Sequence, residues 1–246
     1  MPALVLSVSL AARWWGPRIA GLLTSLPIVS GPALFFLAVE QGDAFAAEAA
    51  RAVLVSLIAV AVSGVAYAWV ALRAPWWVSL PATWASFVVT TLLLQPMRWT
   101  APVALAAAVA TFAIARALLP AGGTHAMGQR PAWDLPFRAV ASMVLVVSVT
   151  ELADRLGPTL SGAFTPFPVA LSTLLAFAHA QQGSGAAIRF LRGFLPGMFS
   201  FSAFCFVVTL TMTPFGRWVA FVLALAVVLP IQAVVLWWMK ERGEGP

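Results

Sequence analysis

The chain has 246 residues, 62% hydrophobic and 9% charged, with a mean hydropathy of +0.96. A soluble domain carries about 25% charged residues, so the composition excludes a water-covered globule and points to an all-α, polytopic integral membrane protein. A formal charge of +6 would suggest nucleic acid in a soluble protein, but the 14 Lys and Arg residues fall between apolar stretches. They report topology, and nucleic acid is excluded as a partner.

Charged residues bound nine predicted spans. The first, 2–15, is short, and Arg13 and Arg18 follow its apolar run instead of preceding it, which marks a retained helix and not a signal peptide. Next come 19–39, 52–72, 74–97 and 100–119, the last apolar except for Arg116 near its end. The remaining four are 137–156, 159–180, 193–213 and 218–239. Crossing about 30 Å of hydrocarbon takes about 20 helical residues, so all but the first are long enough. Trp14, Trp15, Trp76, Trp77, Trp99, Trp218, Trp237 and Trp238 lie near span ends, as an interfacial aromatic belt requires.

Counting Lys and Arg by side sets the orientation. One side collects Arg51, Arg98, Arg155 and Arg217; the other collects the remaining ten. The richer side belongs in the cytoplasm. The expectation is a bacterial inner-membrane protein with its N-terminus outside and its C-terminus inside.

An internal repeat organises the chain. Laying residues 1–42 over 142–183, a shift of 141 without a gap, gives 14 identities in 42 positions. They include Gly16, Pro17, Gly21, Thr24, Pro27, Gln41 and Gly42, residue types that apolar composition alone does not supply. The same shift carries Arg51 onto Arg192. Spans 1–4 then correspond to spans 6–9, and the extra fifth span makes the second copy enter the membrane from the opposite side. The predicted organisation is a 4+1+4 inverted-topology repeat: residues 1–99, a linking span and cytoplasmic linker at 100–136, and residues 137–246. Many secondary transporters share this plan.

Spans 2 and 7 share the pattern G-P-x-x-x-G-x-x-T-x-x-P and end in Gln-Gly. Pro17 and Pro158 suit a first helical turn, and Gly42 and Gly183 suit a C-terminal cap. Pro27 and Pro168 lie about ten residues, or about 15 Å, into their spans, which places them near the midplane. Each frees a backbone carbonyl, and Pro166 adds to the disruption. Thr24, Ser25, Ser30, Thr165 and Ser172 supply hydroxyls nearby. Broken helices at matching positions of inverted halves point to a transport path, although the same Gly and Pro spacing also serves kinked, close-packed helices.

Other candidates are few. Glu151, six residues before Gly157, is the one carboxylate placed to carry a coupling proton; pairing with Arg155 is the alternative. Gln232, well inside span 9, is expected to hydrogen-bond another helix, and His179 sits one turn from a span end. Cys205 alone excludes an intrachain disulfide and a Cys-based metal site. No phosphate loop, nucleophile elbow or H-E-x-x-H is present, so neither an enzyme, a cofactor nor a metal is expected.

The run GPRIAGLLTSLPIVSGPALFFLAVEQG, after a short apolar helix and before an Arg-led third span, resembles the GlpM-type family of small bacterial inner-membrane proteins. The likeness covers residues 1–72 best and 139–212 less well. It implies two such units, each of about four spans, fused head to head. The second copy replaces Gly31–Pro32 with Ser172–Thr173, so the halves differ there. The resemblance brings no reaction or substrate.

The functional expectation is a transporter or exporter of an unidentified small solute, working by alternating access. The alternatives are an accessory membrane protein without transport and a small-ion channel. Expected partners are the lipid bilayer, the solute and, as an option, a second copy of the chain in a homodimer. A water-filled path at Thr24 would favour transport or conduction; a packed midplane would favour the accessory role.

Overall fold

The computed structural model describes residues 2–28, 30–121, 140, 143–144 and 168–241. Every element among them is helical: α1 (Pro2–Thr24), α2 (Ser30–Gln41), α3 (Asp43–Ala71), α4 (Trp76–Leu94), α5 (Ala101–Leu118), α6 (Val169–Gln182) and α7 (Ser184–Glu241). In a chain this apolar, helices satisfy the backbone polar groups that lipid cannot.

Glycine sets the bends. Gly16 (φ 85°, ψ 170°) divides α1 into limbs 2–15 and 17–24, and Gly216 (φ 77°, ψ 165°) divides α7 into limbs 184–215 and 217–241. Gly42 (φ 92°) alone separates α2 from α3, and Gly183 (φ 78°) alone separates α6 from α7. Only glycine visits this backbone region without strain. Pro17 opens the second limb of α1, where its missing N–H would have had no partner anyway.

These one-residue connections change two predicted boundaries. Helices expected to begin at 52 and 193 begin at Asp43 and Ser184. Glu48, Arg51, Arg189 and Arg192 therefore lie on helices and not in loops. Charges mark where a helix leaves hydrocarbon, whereas the glycines mark where it ends.

Among the described residues, four helices are long and apolar enough to cross a membrane: α3, α4, α5 and α7. The 12 residues of α2 and the 14 of α6 reach only about 18 and 21 Å. The predicted span 19–39 is thus two pieces, the second limb of α1 and α2, with a non-helical stretch at 25–28.

The second limb of α1 packs on the first limb of α7 through glycines. A Cβ on Gly21 would stand 2.1 Å from the Phe190 carbonyl oxygen, and one on Gly193 would stand 1.9 Å from that of Arg18. A Cβ on Gly197 would meet Ser25 Oγ at 1.7 Å. Backbone contact this close maximises dispersion between helices, the main attraction available where lipid is as apolar as protein.

Helix α5 lies against both α3 and α7. It buries one stripe, Ala101, Ala104, Ala108, Phe112 and Ala115, and leaves Val103, Val109 and Ile114 exposed. Phe112 meets Phe199 of α7 edge to face at 5.5 Å.

Candidate functional site

The chain loses helical geometry where Pro27 predicts. Thr24 ends α1 and Ser30 begins α2. The first hydrogen bond of α2 runs from Gly31 N to Pro27 O at 2.8 Å. Pro168 stands immediately before α6, whose Ser172 N donates to Pro168 O at 2.8 Å. Each proline carbonyl thus nucleates the short helix after it.

Beside this break is a cavity of about 1350 Å³. Thr24, Ser25, Ser30 and Pro168, all expected along a substrate path, line it. Its inner wall is apolar: Leu34, Leu57, Val60, Phe194, Met198 and Phe201. Its charged groups gather at one end, where Glu48 and Arg51 of α3 lie with Gln95, Arg98 and Thr100 near the α4–α5 connection, while Thr24, Ser25, Ser30 and Ser56 contribute hydroxyls elsewhere in the lining.

The expected hydroxyls have definite partners. Thr24 Oγ1 donates to Ala20 O at 2.7 Å and Ser25 Oγ donates to Leu22 O at 2.6 Å. Such back-bonding occupies the proton and leaves the lone pairs. Ser25 is 1% exposed and also faces the Gly197 backbone, so it packs as well as lining the cavity. Ser172 lies off the cavity lining among the described residues, fully buried, and accepts from Trp84 Nε1 of α4 at 3.1 Å. Glu151, Thr165 and Pro166 lie outside the described residues.

Around the cavity, charge is held by short-range contacts. Arg51 donates to the Trp99 carbonyl and pairs with Glu48. Thr91 also lines the cavity, and its Oγ1 is buried without a hydrogen-bond partner. Arg98 is exposed, and among the described residues no acid pairs with it. Asp43, at the start of α3, pairs with Arg217 Nε at 2.9 Å, tying the first turn of α3 to the second limb of α7.

Further contacts join elements that are distant in sequence. Tyr67 of α3 donates to Leu175 O at 3.2 Å, and its hydroxyl lies 3.1 Å from His179 Nδ1. Ser200 Oγ lies 2.7 Å from Gln232 Oε1, joining the two limbs of α7, where the sequence predicts a bond from Gln232 to another helix. At the far end of α5, Arg192 Nη2 donates to Leu119 O at 3.3 Å and Pro120 O at 3.0 Å. Arg116 donates to Arg192 O at 3.0 Å and stands 4.5 Å over the Trp238 ring.

Sequence reasoning missed the polar end of the cavity. Arg51 and Arg98 served there only as topology markers, although the Gln95–Thr100 run carries Gln, Arg, Trp and Thr together. It also missed Tyr67, the one tyrosine of the chain. Among the described residues no group of three or more His, Cys, Asp or Glu is placed to hold a metal.

The fold and cavity define an all-helical protein with several helices suited to a membrane. Neither a family model, a curated protein nor a solved structure matches the chain.

Proposed function

We propose that the chain is a polytopic inner-membrane transporter of a small solute, working by alternating access between inverted halves. The observation that carries this reading is the cavity at the break between α1 and α2, walled by both α3 and α7. An interrupted helix at membrane depth is tolerated where it lines a cavity or is buried in protein. The cavity weighs against an accessory role with a packed midplane.

The nine-span, 4+1+4 inverted arrangement is part of the proposal, as is kinship with GlpM-type proteins. Features 141 residues apart support the repeat. The proline-carbonyl bonds that start α2 and α6 are one such pair, and the positive-φ glycines 42 and 183 are another. Arg51 and Arg192, a third pair, bond backbone at opposite ends of α5.

Topology is the first test. With Cys205 replaced by Ala, single cysteines at Glu40 and Gln181 occupy equivalent ends of α2 and α6. An impermeant thiol reagent added to intact cells should label position 40 and spare 181. Equal labelling would remove the inverted repeat and, with it, the alternating-access mechanism.

A further inference from the structure

Resting on the transporter reading, we infer that the cavity takes a single-tailed amphiphile with an anionic head, not a small hydrophilic solute. Its charged side chains lie together with two polar neighbours, and the rest of the lining is apolar apart from the hydroxyls of Thr24, Ser25, Ser30, Ser56 and Thr91. Glu48, Arg51, Gln95, Arg98 and Thr100 occupy one end. From Arg51 the lining continues along α3 to Leu57 and Val60, nine residues or about 14 Å deeper. Phe194, Met198 and Phe201 face that stretch from α7. A small polar solute would leave this apolar wall without a partner, whereas an alkyl tail removes it from water.

Charge selects the head. Glu48 neutralises Arg51 through their ion pair. Arg98 is left as the uncompensated charge among the described lining residues. Thr91 lies one helical turn before Gln95, and its buried hydroxyl lacks any protein partner. A phosphate or carboxylate oxygen meets Arg98 as a counter-charge and, once the Thr91 side chain turns toward the cavity, accepts from its hydroxyl, while the tail runs toward Val60. A quaternary ammonium beside the phosphate would cancel the charge that Arg98 recognises.

The test uses the full chain in phosphatidylcholine nanodiscs, titrated with radiolabelled dodecyl phosphate. One saturable site per chain is expected. Butyl phosphate keeps the head but shortens the tail, and should compete at least about 100-fold more weakly, because each buried methylene contributes to binding. Dodecylphosphocholine keeps the tail but cancels the charge, and should compete about tenfold more weakly, as should dodecyl phosphate against Arg98→Gln. Thr91→Val, which preserves shape, should also weaken binding. Equal competition by either analogue, unchanged binding in both variants, or no saturable site overturns the inference. The transport reading fails separately. Dodecyl phosphate that binds but does not cross proteoliposomes through the protein removes transport and leaves the site. Flux of a hydrophilic solute without dodecyl phosphate binding does the reverse.

Discussion

Arg51 and Arg192, 141 residues apart in sequence, hold opposite ends of α5. Arg51 donates to Trp99 O just before the helix, and Arg192 donates to Leu119 O and Pro120 O just after it. Each Arg stands nine residues after a positive-φ glycine, Gly42 or Gly183. At the C-terminal end the guanidinium also meets the negative end of the α5 dipole and satisfies carbonyls that the helix cannot.

Arg192→Gln should therefore destabilise the protein by about 2 kcal/mol, the scale of charged hydrogen bonds. That corresponds to a fall of about 6 °C in Tm for a chain of this size. Arg192→Lys should recover little, since both bonds leave Nη2 at the tip of the guanidinium and the shorter lysine side chain does not carry its ammonium that far. Thermal unfolding in detergent measures both; a Lys variant as stable as the parent would show that charge alone matters there.

Tyr67 makes the corresponding case for α6. Removing its hydroxyl with Tyr67→Phe breaks the contacts to Leu175 O and His179 while keeping the ring in place. The expected loss is about 1 kcal/mol, concentrated in α6, which has only 14 residues. Hydrogen exchange should speed up across 169–182 and stay unchanged across α4. Uniform acceleration through the whole chain would mean that Tyr67 supports the core generally and not α6 in particular.

The backbone interruptions were legible in the sequence because proline and glycine act locally. Pro27 cannot donate to a helix and Gly42 tolerates positive φ, so both positions announce themselves. The helix contacts were not legible. Helices apolar on every side carry no periodic signal of which face meets a neighbour. Gly193 and Gly197 looked like ordinary small residues until Arg18 and Ser25 were found against them. The polar end of the cavity was hidden for another reason: it is assembled from α3 and from the approach to α5, whose proximity is tertiary.

Ser200 and Gln232 offer a test of buried polar pairing. Ser200 Oγ lies 2.7 Å from both Gly197 O and Gln232 Oε1, while Gln232 Nε2 is buried without a partner. One hydroxyl proton cannot serve two acceptors. Turning the amide over resolves both problems: Nε2 donates to Ser200 Oγ, which donates to Gly197 O. Gln232→Leu should then cost about 1 kcal/mol, and the double variant with Ser200→Ala should cost less than the two singles summed. Strict additivity in thermal unfolding would indicate that the pair is not coupled.

The glycine contacts predict an order of damage from one methyl group. At Gly193 and Gly21 the new Cβ meets backbone, of Arg18 and Phe190 respectively, which cannot rotate away. At Gly64 it meets only Leu191 Cδ2, at 3.0 Å, the end of a side chain that can shift. At Gly16 nothing lies within 4 Å, but φ of 85° strains any other residue. Gly193→Ala and Gly21→Ala should each cost about 3 kcal/mol or more by forcing α1 and α7 apart. Gly16→Ala should cost about 1–3 kcal/mol through strain alone, and Gly64→Ala the least. Monodisperse yield and Tm across the four variants measure the order. Were Gly193→Ala as stable as Gly64→Ala, the α1–α7 interface would have to be looser than backbone contact, and the second limb of α1 would lose its anchor beside the cavity.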